Sequence, residues 1–147
     1  IWSSLVGSEM CIRDRVCGAL LDEDKVLIGQ RLESDDICPN QWELPGGKIE
    51  EDETPYDAIK REWKEELDIE IFPYYSIPER EMFGVTKNIM VHPYIIKYES
   101  GKPKLNVHQK VRWITFNEIN DYDLTSISKK VLYIIKGSYQ LFIKGKE

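Results

Sequence analysis

The chain has 147 residues, a formal net charge of -6, a pI near 5.1 and 41% hydrophobic residues. That supply of apolar side chains suits one globular domain able to fold on its own. The acidic balance leaves no basic field for a nucleic-acid polymer or an anionic membrane, so a small phosphorylated ligand would need a cation to mediate. The sequence has no apolar run of bilayer length and no basic-then-apolar leader, and a cytoplasmic protein is the expectation. Cys11, Cys17 and Cys38 are odd in number and follow no CxxC or Cys/His spacing, so they read as reduced thiols.

The first stretch, IWSSLVGSEMCIRDR, begins with Ile, has no clear period and resembles a translated sequencing adapter. Residues 1–14 are therefore read as non-native and residues 15–147 as a single domain, with a native N-terminal arm as the alternative. VCGALL (Val16 to Leu21) and VLIGQR (Val26 to Arg31) read as neighbouring strands joined by a tight DEDK turn. A polar segment then leads into WELPGGKIEEDE, where Pro45, Gly46 and Gly47 predict a loop in which backbone can approach a ligand.

Thr54 opens a predicted helix from Pro55 to Leu67. Its hydroxyl can cap, proline suits the first helical position, and Tyr56, Ile59, Trp63 and Leu67 form an apolar stripe. IEIF, EMFGV, IMVHPYIIKY and VRWITF follow as β-prone runs, with SGKP as a turn. A second helix is expected from Ser126 to Ile135, ending near Gly137. YQLFIKG at the C-terminus reads as a last strand, a helix extension or a dimer contact, and monomer and homodimer both stay open. Strands, helix, strands, helix in that order predict an α/β protein with a mixed sheet between helices.

The first helix carries the chemistry. At about 100° per residue, Glu62, Glu65 and Glu66 share one arc beside the apolar stripe, with Ala58 one turn earlier leaving room for a ligand. Like charges at this spacing destabilise a helix by a few tenths of a kcal/mol, so something positive is expected to offset them. A hard divalent cation fits oxygen ligands of this kind, whereas a solvated charged face explains the acids equally well from the helix alone.

The loop before the helix separates those readings. Gly47, Glu53, Arg61, Glu62, Glu65 and Glu66 match the spacing G-x5-E-x7-R-E-U-x-E-E-x-G-U, where U is bulky and apolar. The segment from WELPGGKIE through EELDI resembles the MutT-like branch of the Nudix hydrolases. That resemblance implies an α/β/α sandwich and hydrolysis of a nucleoside diphosphate linked to another group, with Mg²⁺ or Mn²⁺ as cofactor. It places the Gly46 carbonyl and the carboxylates of Glu62, Glu65 and Glu66 at the metal. Arg61 would orient Glu62, with Glu53 as intermediary, by charge-assisted hydrogen bonds. Arg31, Glu43, Gly47 and Lys48 are the substrate-side candidates. Trp42 either stacks on a base or packs in the core.

Three departures qualify the resemblance. Asp68 stands in place of the last glycine, just past the helix end, where a left-handed backbone is expected at a cost of roughly 1 kcal/mol. Many relatives carry a glutamate six residues before the late-strand tryptophan; counting back from Trp113 gives Val107, followed by His108, read as structural. Thr125 and Ser126 stand where some relatives read a base with an amide side chain. The leading expectation is a nucleoside triphosphate pyrophosphohydrolase acting on an oxidised purine such as 8-oxo-dGTP or on a pyrimidine nucleotide. A nucleotide-binding or regulatory module with weak or no turnover is the alternative, and a cation-binding structural domain a third.

Overall fold

The computed structural model describes residues 13–83 and 88–138. Strand β1 (Arg13–Asp22) runs parallel to β7 (Asn88–Ser100) and, on its other edge, antiparallel to the short β4 (Gly46–Lys48). Both β5 (Glu70–Ser76) and β6 (Arg80–Phe83) pair antiparallel with β7. At its far end β1 turns through Glu23 and Asp24 into β2 (Lys25–Arg31), which pairs with β3 (Trp42–Glu43) and with β8 (His108–Thr115). The helices are α1 (Pro55–Leu67) and α2 (Ser126–Gly137), with a 3-10 helix at Phe116–Asp121.

The sheet is mixed and lies between the two helices because its strands alternate. Val16 and Leu20 of β1, Leu27 of β2, and Tyr94 and Ile96 of β7 pack with Ile59, Trp63 and Leu67 of α1. Their neighbours Cys17, Ala19, Val26, Ile28, Val91 and Ile95 pack on the other side with Val131, Leu132 and Ile135 of α2. Successive side chains of a strand point to opposite faces, so a sheet that is apolar on both must be covered twice. Burial on the α2 side pushes the Cys17 thiol up to about 12, which keeps it protonated and inert.

Helix α1 begins and ends where its residues dictate. Thr54 Oγ1 accepts from the Asp57 N–H at 3.1 Å, Pro55 follows the cap, and Asp68 closes the helix at φ 59°, ψ 34° with its N–H on the Lys64 carbonyl. The apolar stripe differs from expectation at one end. Tyr56 is 40% exposed, under the Lys60 ammonium, and Ala58 takes its place in the core at 0% exposure. Ala58 thus gives the helix close approach to the sheet and leaves no ligand space.

WELPGGKIEEDE is also more regular than a loop. Trp42–Glu43 and Gly46–Lys48 are strands, because pairing with β2 and β1 overrides the weak β propensity of glycine. A Cβ on Gly46 would lie 2.0 Å from the Val16 carbonyl oxygen, so only glycine permits that pairing. Arg13 and Asp14, assigned from sequence to the non-native segment, pair through their backbones with Ile89 and Met90, a contact indifferent to side chains. Residues 1–12 of that segment, Cys11 included, the end of EMFGV and the YQLFIKG tail lie outside the described residues. Among the described residues no helix is long and apolar enough to cross a membrane.

Candidate active site

Strand β4 and helix α1 meet at an open cavity of about 900 Å³, and the acids of α1 line it. What joins the two elements is Trp63, whose indole N–H donates to the Pro45 carbonyl at 3.0 Å from a fully buried ring. The turn entering β4 is thereby tied to the helix that carries Glu62 and Glu66.

Arg61 organises the acids. Its Nε and Nη2 donate to the two oxygens of Glu53 at 2.7 and 2.9 Å, and Nη2 also donates to the Lys48 carbonyl at 2.9 Å. Its Nη1 donates to Glu62 at 3.0 Å and to Glu65 at 3.3 Å. A planar fork with five donors can serve this many acceptors; an ammonium cannot. The Arg61 hydrogen bonds hold the Glu53 carboxyl below its ordinary range, and Glu53 in turn accepts from the Glu50 N–H at 2.9 Å, closing the turn before the helix.

Glu62 points at β4. A Cβ on Gly47 would fall 2.4 to 2.5 Å from its carboxyl carbon and both oxygens, so the missing side chain of Gly47 is the space that Glu62 fills. Glu66, one turn on, is half-buried, and its Oε1 is shut off from solvent without a hydrogen-bond partner. Burial, with the nearby charges of Glu43 and Glu62, pushes its pKa up to about 9. A buried orphan oxygen beside two more carboxylates is a position short of positive charge.

A second cavity of about 360 Å³ adjoins the first, and Arg31, Glu43, Gly46, Gly47 and Lys48 line both. Its walls are otherwise mainly apolar, from Ile37, Leu44, Val91 and Ile127, with hydroxyls from the start of α2. Glu43 stands at the junction, accepting from Arg31 Nη1 at 2.7 Å while its Oε2 lies 2.9 Å from His108 Nε2.

The chain matches a family model described as the NUDIX domain over residues 12–133. It belongs to the Nudix family. The putative 8-oxo-dGTP diphosphatase 2 of Mycobacterium tuberculosis is 31% identical over 110 residues, which cover 74% of this chain and 77% of that protein. The CTP pyrophosphohydrolase of Escherichia coli is 33% identical over 112 residues, 74% of this chain and 81% of its own. The crystal structure of the MutT protein from Methanosarcina mazei Go1 superposes with a TM-score of 0.79 at 20% identity, covering 91% of this chain and 99% of that one. The protein is thus a MutT-like Nudix hydrolase with the α/β/α sandwich of that family.

Within this Nudix hydrolase the structure brings together every residue that the motif selected. Gly46, Gly47, Glu62, Glu65 and Glu66 line the acidic cavity, Arg61 among them, and Glu53 stands behind Arg61. Gly47, expected on the substrate side, is used first to admit Glu62. Lys48 is exposed at the rim and offers its carbonyl to Arg61. Val107 is 43% exposed and lines the same cavity, so the position counted back from Trp113 does face the acids.

Arg31 is less free than a substrate contact would suggest. Besides Glu43 it holds Asp35 at 2.6 Å, and although burial works against its charge, the two carboxylates outweigh that and raise its pKa. Trp42 packs edge-on against Tyr122 at 5.3 Å and is 8% exposed, which makes it core and not a stacking platform. Thr125 caps α2, accepting from the Ser128 N–H, and Ser128 Oγ accepts from the Leu44 N–H at 2.9 Å. The Nudix box gave no sign of Asp35 or of the His108 contact, since loop and late strand lie outside it. Arg15 also lines both cavities but adjoins the segment read as non-native, and no role is assigned to it.

Proposed function

We propose that this Nudix hydrolase cleaves a nucleoside triphosphate to the monophosphate and pyrophosphate, with Mg²⁺ or Mn²⁺ as cofactor and an oxidised purine such as 8-oxo-dGTP or a pyrimidine nucleotide as substrate. The observation that carries the reading is the fit of Glu62 into the space of Gly47, fastened by Arg61, beside the orphaned oxygen of Glu66. The relatives are named for action on 8-oxo-dGTP and on CTP, which supports the two substrate classes.

The donor set suits a hard divalent ion: Glu62, Glu65 and Glu66 with the Gly46 carbonyl supply oxygens alone, and the buried Oε1 of Glu66 has no hydrogen-bond partner. Bound there, such an ion would neutralise phosphate oxygens and lower the pKa of a coordinated water. The chain's own residues do the remaining work. Arg61, itself held by Glu53, fixes the Glu62 carboxylate in direction, so that it can take up a proton from an attacking water. Lys48 at the rim balances phosphate charge, and the smaller cavity receives the nucleoside, shielded by Ile37, Leu44 and Ile127. The same reading places the enzyme in the cytoplasm, acting on a free nucleotide and not on a polymer.

Val107 favours a second reading, a nucleotide-binding module with weak or no turnover, because a valine at the cavity can neither ligate nor move a proton. Pyrophosphate release with Mg²⁺ over a panel including CTP, dCTP and 8-oxo-dGTP decides between them, beside a Glu62→Gln control. Turnover in the wild type that falls at least 100-fold in the control is expected. Nucleotide binding without turnover would establish the second reading, and equal rates in both proteins would remove Glu62 from the chemistry.

A further inference from the structure

His108 is the one buried histidine among the described residues, with its side chain 1% exposed, and nothing in the proposed chemistry uses it. Its ring is seated by design of the backbone. A Cβ on Gly29 of the neighbouring strand would lie 2.8 to 3.0 Å from three ring atoms, so β2 has given up a side chain to admit the imidazole. Seated there, Nε2 meets Glu43 Oε2 at 2.9 Å, while Nδ1 has no partner. A carboxylate only accepts, so the proton of this contact belongs to Nε2.

Glu43 is then gripped from both sides. Arg31 donates to Oε1 and His108 to Oε2, and Arg31 is itself held by Asp35 from the loop that lines the smaller cavity. A line of contacts runs from β8 through β3 and β2 into that loop, along the wall shared by the two cavities.

We infer that His108 is a positioning residue for the nucleotide: by donating from Nε2 it fixes the Glu43 carboxylate, and through it the Arg31 guanidinium, at the junction between the acidic and the apolar cavity. Without that donor Glu43 would keep only Arg31, and the pair could swing as one. Of the carboxylates proposed to hold the metal, Glu66 comes near this line: its ligand atom and those of Glu43 and His108 all lie within 4.8 Å of one another. A positioning role shows in nucleotide affinity and leaves the metal requirement in place, whereas a ligating role for His108 would shift that requirement.

The inference rests on the nucleotide reading of the site, and binding of an uncleavable probe keeps the two separable. The probe is an α,β-methylene nucleoside triphosphate with Mg²⁺, titrated calorimetrically into wild type, His108→Leu, His108→Gln and His108→Asn. Glutamine places an N–H at the depth of Nε2, and asparagine reaches only the depth of Nδ1. Leu and Asn should weaken binding about 10- to 100-fold, Gln should return it to within about threefold, and the Mg²⁺ concentration giving half-maximal binding should move less than about threefold. No binding by the wild type would defeat the nucleotide reading itself. Wild-type affinity in the Leu variant, or Gln no better than Asn, would overturn the role of His108; so would a tenfold shift in Mg²⁺ requirement at unchanged nucleotide affinity. Should the Leu variant fail to fold, the Gln and Asn pair decides alone. An imidazole proton on Nδ1 instead of Nε2, read from ¹⁵N shifts, would also overturn it.

Discussion

Replacing Gly47 by alanine adds one methyl group at the most crowded point of the site. The new Cβ would sit 2.4 Å from the Glu62 carboxyl carbon and 2.5 Å from each oxygen, where ordinary contact begins at 3.4 Å. The carboxylate must therefore retreat by about 1 Å, a displacement that costs on the order of 100-fold in rate when it affects a positioned catalytic group. It must also leave Arg61 Nη1, now at 3.0 Å. The fold should hardly notice. Gly47 lies in β4 without a left-handed backbone, and alanine loses less chain entropy than glycine, by about 0.5 to 1 kcal/mol. We expect pyrophosphate release to fall about 100-fold, with a melting temperature within about 3 °C of wild type. Activity within threefold of wild type would show that Glu62 is free to sit elsewhere. Loss of activity together with a large fall in melting temperature would show that Gly47 serves β4 and not the carboxylate.

Further outcomes follow from the same geometry. Arg61→Lys keeps the charge but cannot reach Glu53, Glu62 and the Lys48 carbonyl together, so kcat should fall 10- to 100-fold while thermal stability drops by about 1 to 3 kcal/mol; wild-type kcat would refute the organising role. Glu66 has a folded pKa of about 9 against an ordinary 4.5, so between those pH values the folded state holds a proton that the unfolded chain has released. Stability of the chelator-treated protein should thus decline as pH rises across that window, by up to about 1.4 kcal/mol per pH unit. Glu66→Gln should flatten the decline and added Mg²⁺ should offset it, as melting curves at pH 6 and 8.5 would show; equal declines in both proteins would reassign the effect. Asp68→Gly relieves a left-handed residue at φ 59° while losing an exposed ion pair with Lys64, and we predict a net gain of less than about 1 kcal/mol. A lower urea midpoint would contradict that balance.

Local signals carried most of what could be read from sequence. Thr54, Pro55 and the stripe at Ile59, Trp63 and Leu67 define α1 to the residue because caps and periodicity are properties of neighbouring positions. The box residues were legible for the same reason, being confined to one turn and one helix. Where the outcome depended on distant partners, the reading stopped short. Glu43 and His108 meet across 65 positions, and β4 forms only because β1 lies alongside it. Ala58 illustrates the same limit, since its helical arc was correct and its surroundings depended on how closely the sheet approaches. The 3-10 helix at Phe116–Asp121 had a local signal that passed unused: Thr115 and Glu118 form a capping box, with the carboxylate accepting from the Thr115 N–H at 2.8 Å.

The bond from the Trp63 indole to the Pro45 carbonyl reaches beyond the geometry of one turn. Trp63 belongs to the packed face of the same helix that offers Glu62 and Glu66 to the cavity, so α1 cannot loosen at one face and stay rigid at the other. Heat inactivation and loss of the core should then be a single event, without a range of temperature in which the folded protein is idle. The indole proton would report it, exchanging with solvent only as fast as the protein opens as a whole.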